Sequence, residues 1–115
     1  MNKHARHRLP HPRRSVTEAI EHEGHQVQLT FGFYEHGWIT EIFGGSTKRG
    51  AQIDHLVADV AVALSLGLQV GLTLQQPTKS IGHIPDPFQP VGHRPASLIG
   101  AILQTAFQIE GELWL

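Results

Sequence analysis

The feature that most constrains this chain is a change of hydrophobic period about halfway along it. From Gln26 to Tyr34 the residues alternate: Val27, Leu29, Phe31 and Phe33 fall on one side, Gln26, Gln28, Thr30 and Tyr34 on the other. Period two with one apolar side marks a half-buried antiparallel strand. From Ile53 the repeat becomes helical. Ile53, Leu56, Val57, Val60, Ala61, Leu64 and Leu68 recur at three- and four-residue intervals, which is one apolar helix face. A chain holding both patterns has to lay a helix on a sheet, and 115 residues suffice for one such core but not two.

The flanking segments extend this plan. Ser15 to Glu21 reads as a short strand with Val16 and Ile20 on one face, and His22-Glu23-Gly24 as a turn. Glu35-His36-Gly37 reads as a three-residue hairpin loop, Trp38 to Phe43 as the return strand, and Gly44-Gly45-Ser46 as the end of the sheet. Val62, Ala63 and Leu66 lie opposite the apolar helix face, so that helix is apolar over most of its girth. The sheet covers one side only; the other is expected to meet the second helix or another subunit. Gly67 and Gly71 bracket the helix end.

Gln75 to Arg94, with Pro77, Pro85, Pro87 and Pro90, reads as a long loop, and loops of that length are usually functional or mobile. Pro95-Ala96-Ser97 is expected to open a second helix, with Leu98, Ile102, Thr105, Ala106 and Ile109 along one face. The expected fold is therefore α+β: a three-stranded antiparallel meander packed on a long buried helix, a Pro-rich loop and a second, C-terminal helix. Two unpaired sheet edges and the all-round apolar helix predict a homodimer or higher oligomer.

Charge divides the chain at its start. Lys3, Arg6, Arg8, Arg13 and Arg14 precede the first acid, Glu18, while the rest carries four basic and ten acidic groups. Residues 4–14 lack apolar periodicity and contain Pro10 and Pro12, so residues 1–14 read as a disordered basic arm ahead of a single domain, residues 15–115. Arg6, Arg8, Arg13 and Arg14 are the candidates for contact with nucleic acid through counterion release; an inert tail is the competing reading. The longest apolar stretch, Val57 to Leu68, is broken by Asp59 and Ser65 and is too short to span a bilayer, so no membrane partner is expected. No signal peptide is visible, and the expected location is the cytoplasm.

The absence of cysteine excludes disulfides, thiolate metal sites, thiol nucleophiles and thiyl-radical chemistry. Nine histidines raise the question of a metal, but no spacing among them matches a known ligand pattern, and none is expected. His22 and His25 flank a turn, and His55 with Asp59 at i, i+4 reads as a surface pair rather than a base with its orienting acid. Ser65 lacks a nucleophile motif and is expected to bond the carbonyl four residues back. Gly44-Gly45-Ser46-Thr47-Lys48 has the composition of a phosphate loop without its spacing. No catalytic residue and no cofactor is assigned. The interaction or ligand candidates are His83, Asp86, His93 and Arg94 in the long loop, and Trp114 in the apolar tail. A small hydrolase using His55, Asp59 or the loop histidines is the weakest alternative.

Ser65-Leu66-Gly67-Leu68-Gln69-Val70-Gly71-Leu72-Thr73-Leu74 resembles the helix end of the TSCPD domain, found near the C-terminus of adenosylcobalamin-dependent (class II) ribonucleotide reductases and as short stand-alone proteins. Gly32-Phe33, Gly37, Glu41-Ile42-Phe43, Gly50 and Pro95-Ala96-Ser97-Leu98-Ile99-Gly100 agree in order, so the similarity runs from about Val16 to Phe107. The cysteine-containing motif that names the domain is absent. The resemblance thus implies a module related to a reductase accessory domain, non-catalytic by itself. Such a module would oligomerise and bind a protein partner, a ribonucleotide reductase among the candidates, or a nucleotide.

Overall fold

The computed structural model describes residues 14–33, 37–48 and 50–112. Strands β1 (Arg14–His22), β2 (His25–Phe33) and β3 (Ile39–Ser46) form an antiparallel sheet in chain order. The alternation predicts this element correctly: Val27, Leu29, Phe31 and Phe33 are all buried. Glu23 and Gly24, both at positive φ, close the first hairpin between paired His22 and His25. A two-residue loop of that hand matches the twist of its strands. β1 takes in Arg14, and residues 1–13 of the basic arm lie outside the described residues. In the second hairpin loop Gly37 has positive φ; Glu35 and His36 lie outside the described residues.

The glycine pair does not end the sheet. Gly44 and Gly45 lie inside β3, paired with Leu29 and Gln28. A Cβ at Gly44 would come within 2.7 Å of Leu29 Cδ2 and 3.1 Å of Val57 Cγ1. The bare backbone there lets helix α1 (Gln52–Gln69) lie close along β3. Val57 and Ala61 are buried against the sheet, and Ile53, Leu64 and Leu68 pack at the margin. The helix stops in a Schellman turn: Gly71 takes φ 108°, and Leu72 N–H donates to the Gly67 carbonyl at 2.9 Å.

The expected loop contains structure. Helix α2 spans Gln75–Ser80, and strands β4 (His83–Pro85) and β5 (His93–Pro95) form a hairpin. Pro77 reads as a breaker in sequence, but a proline in a helix's first turn lacks only an N–H that has no helical partner there. The strands escape detection because they are three residues long, carry prolines and show no alternating run. Pro95 belongs to β5 and does not open the last helix. Helix α3 (Leu98–Glu112) starts one turn later than expected, where Ser97 Oγ accepts the Gly100 N–H at 3.0 Å as an N-cap.

Ile102, Leu103, Ala106 and Ile109 of α3 join the β2 row, Ile39, Ile42, Leu74, Val57 and Ala61 in one cluster. Both long helices therefore serve one face of the sheet. The other face, with Thr17, Gln28, Thr30 and Phe43, is open. Among the described residues no helix is long and apolar enough to cross a membrane.

Candidate interaction site

The edge of β3 is where sequence and structure differ most. Two free sheet edges are expected, but side chains of α1 close this one. Ile42 N–H donates to Ser65 Oγ at 2.8 Å; that hydroxyl lies 2.8 Å from the Ala61 carbonyl and 3.1 Å from the Ile42 carbonyl. Gln69 Nε2 donates to the Thr40 carbonyl at 3.1 Å, and Ser46 N–H donates to Asp54 Oδ1 at 2.9 Å. One stripe of α1 thus satisfies outward backbone groups along the strand. Ser65 makes the expected bond to residue 61, and a second one that its sequence neighbours do not reveal.

Asp54 also disposes of the phosphate-loop comparison. Its carboxylate accepts the N–H groups of Ser46 and Gly50, at 2.9 and 3.0 Å. The amides that would greet an anion already hold one belonging to the chain itself.

The long-loop candidates are brought together on the β4–β5 hairpin. Arg94 Nη1 pairs with Glu23 at 3.2 Å, and Arg94 Nε lies 3.5 Å from Asp86 Oδ2. Asp86 Oδ1 accepts the Phe88 N–H at 3.0 Å, while its own N–H donates to the Gly92 carbonyl at 2.9 Å. The rings of His83 and His93 meet edge to face, with centroids 4.7 Å apart. The Arg94–Glu23 pair ties the hairpin to the β1–β2 turn, and the other contacts brace the hairpin itself. Among the described residues no three His, Asp or Glu side chains converge for a metal, and His55 and Asp59 are exposed on α1. Arg6, Arg8, Arg13 and Trp114 lie outside the described residues. Arg14 opens β1 opposite Phe33.

Two further surfaces stand out. The outward side of α1 exposes Leu56, Val62 and Leu66 by 47%, 58% and 42%. The second helix does not cover them, because α3 joins the core on the sheet. The other surface surrounds Glu110, whose Oε2 accepts the Ile39 N–H at 2.9 Å beside Trp38 and Phe107. Burial pushes its carboxyl above the ordinary carboxylate range, and the Ile39 hydrogen bond only partly opposes this. Sequence reasoning missed Glu110; the available signal was an acid following Ile109 on an otherwise apolar helix.

No family model and no solved structure matches the chain. Vitamin B12-dependent ribonucleotide reductases do match it. The one from Rhodopirellula baltica is 33% identical over 88 residues, 76% of this chain and 8% of the relative. Those from Bradyrhizobium diazoefficiens and Agrobacterium fabrum are 37% and 38% identical over 71 residues, 62% of this chain and 6% of each relative. The chain is related to a segment of the B12-dependent ribonucleotide reductases. The matches accord with a TSCPD-like domain of the class II enzymes, as the Ser65–Leu74 pattern implies. The region shared with the reductases is less than a tenth of their length.

Proposed function

We propose that this chain is a non-catalytic relative of the reductase segment, acting as an oligomeric interaction module. The outward side of α1 carries the reading. Gln52, His55 and Asp59 occupy its first half, and Val62, Ala63 and Leu66 its second. Two copies crossing antiparallel would set Leu66 of one against Leu56 of the other, with small Ala63 allowing close approach. Such self-complementarity suits a two-fold interface. A ribonucleotide reductase chain is the second candidate partner, because the relatives are vitamin B12-dependent ribonucleotide reductases.

Chemistry of the relatives does not transfer. Ribonucleotide reduction through a thiyl radical needs a thiol, and this sequence has none. The groove over Thr30 and Phe43, about 660 Å³, is open along the sheet face and offers no histidine among its described residues to ligate a corrinoid cobalt. The test is mass in solution. Sedimentation of the full chain should give at least a dimer, and Val62→Glu with Leu66→Glu should give a monomer of unchanged circular dichroism. A wild-type chain that stays monomeric at every concentration would end this reading.

A further inference from the structure

Glu110 occupies an unusual place for a carboxylate. Phe107, Glu110 and Gly111 stand at i, i+3 and i+4 on the last turns of α3, hence on one side. With Trp38, Thr73 and Leu74 they line a groove of about 470 Å³. An adjoining hollow of about 250 Å³, reaching Leu68 and Leu72, shares Trp38, Leu74 and Glu110. Trp38 is 45% exposed and Phe107 41%, so part of each ring is accessible. One carboxylate oxygen serves Ile39 N–H, and desolvation is the largest influence on the group. An acid that shares its groove with two aromatic rings, the rest of the described lining being Thr73, Leu74, Gln75 and Gly111, suits an organic cation. Guanidinium suits it better than ammonium, because it stacks on rings while hydrogen-bonding a carboxylate.

The sheet register shows where such a cation is at hand. Arg14 pairs with Phe33, and Phe33 with Ile39. The chain ahead of Arg14 therefore enters at the sheet end that holds Ile39 and Trp38, two strand spacings or about 10 Å away. Residues 1–13, outside the described residues, contain Lys3, Arg6, Arg8 and Arg13 and no acid. Thirteen residues span up to about 43 Å when extended, so reach does not limit them. We propose that the groove formed by Trp38, Phe107 and Glu110 is a guanidinium-binding site whose occupant is the chain's own basic segment, residues 1–13. The arginines of that segment meet Glu110, and their stems cover the two rings and Leu74.

Limited trypsin digestion of the full chain reads this directly, as the rate of cleavage after Arg6 and Arg8. Glu110→Gln removes the charge but keeps an oxygen for Ile39 N–H, so the fold has little reason to change. Cleavage should quicken about five-fold in this variant, the scale of one exposed ion pair with a cation–π contact. Trp38→Leu should act in the same direction, and Glu112→Gln, whose carboxylate is outside the groove, should leave the rate unchanged. Raising salt on the unmodified chain should carry its rate toward that of Glu110→Gln, a comparison that needs no variant to fold. Equal rates in all of these overturn the proposal. Protection that grows with protein concentration also overturns it, by placing a second copy's segment in the groove. So does an unchanged Arg6 and Arg8 rate with faster carboxypeptidase release of Leu115 and Trp114, which would assign the groove to the apolar tail.

Discussion

Ser65 shows how a residue that carries a family resemblance can be structural in its effect. Its hydroxyl joins the Ala61 carbonyl to the outer edge of β3 through Ile42. Ser65→Ala leaves the N–H of buried Ile42 without its acceptor and should cost about 1–3 kcal/mol. Thr105→Ala removes only a bond to the Ala101 carbonyl in its own helix and should stay within about 0.5 kcal/mol. Urea titration of the pair checks this; similar losses would mean the strand contact contributes nothing. Half of the Ser65 role was legible, since a helical serine bonds backward by local geometry. The other half depends on which strand lies alongside, which spacing does not encode. Glu110 gives the pH dependence. Its carboxyl titrates above the ordinary value in the fold, so the native state keeps that proton to higher pH than the unfolded chain. Its contribution to stability therefore falls as pH rises from the ordinary carboxylate value through the raised one, and then levels. In high salt, where the basic segment is screened, Glu110→Gln should gain stability relative to wild type across that window. A gain that shrinks with rising pH would contradict the sign.

Elements with a period were readable, and elements held by single contacts were not. The alternation of Val27 to Phe33 gives β2 and the three-four spacing gives α1, because a repeated pattern averages over local exceptions. The β4–β5 hairpin rests instead on Asp86, Gly92 and the Arg94 pairs, which have no period. Exposed pairs of this kind contribute little, so Arg94→Ala should cost no more than about 1 kcal/mol while loosening the hairpin's amide protection in hydrogen exchange. Helix α3 offers a sharper contrast in two glycines. At Gly100 a Cβ would meet Ile81 Cδ1 at 2.8 Å and Pro95 Cβ at 3.0 Å. At Gly111 it would meet nothing within 4 Å. Gly111→Ala should stabilise by about 0.4–1 kcal/mol, since alanine restricts the unfolded chain and favours helix. Gly100→Ala should destabilise despite the same propensity gain, because the helix start must move off β5. Thermal melts of the two variants should shift in opposite directions; shifts of one sign would show that packing at Gly100 yields easily.

For the molecule as a whole the question is which uncovered surface meets another copy. The sequence showed that α1 is apolar nearly all round, but not whether a second helix or a second subunit shields its far side. α3 joins the core on the sheet instead, leaving Leu56, Val62 and Leu66 outward. The open sheet face competes, because Phe43 is exposed there. Its neighbours decide against it: Thr17 and Thr30 share a hydrogen bond of 3.0 Å, and Gln28 and Gly45 add polar or bare surface. A lone ring amid hydroxyl and amide groups gains little by docking, whereas Leu56, Val62 and Leu66 on one helix side together remove more apolar area from water. Association that involves only folded chains raises the melting temperature with concentration. The wild-type melt should therefore climb on concentrating the protein, and Phe43→Ser should climb in parallel. Leu66→Glu should melt at one temperature throughout. If Phe43→Ser abolished the climb and Leu66→Glu kept it, the sheet and not the helix would be the surface through which copies meet.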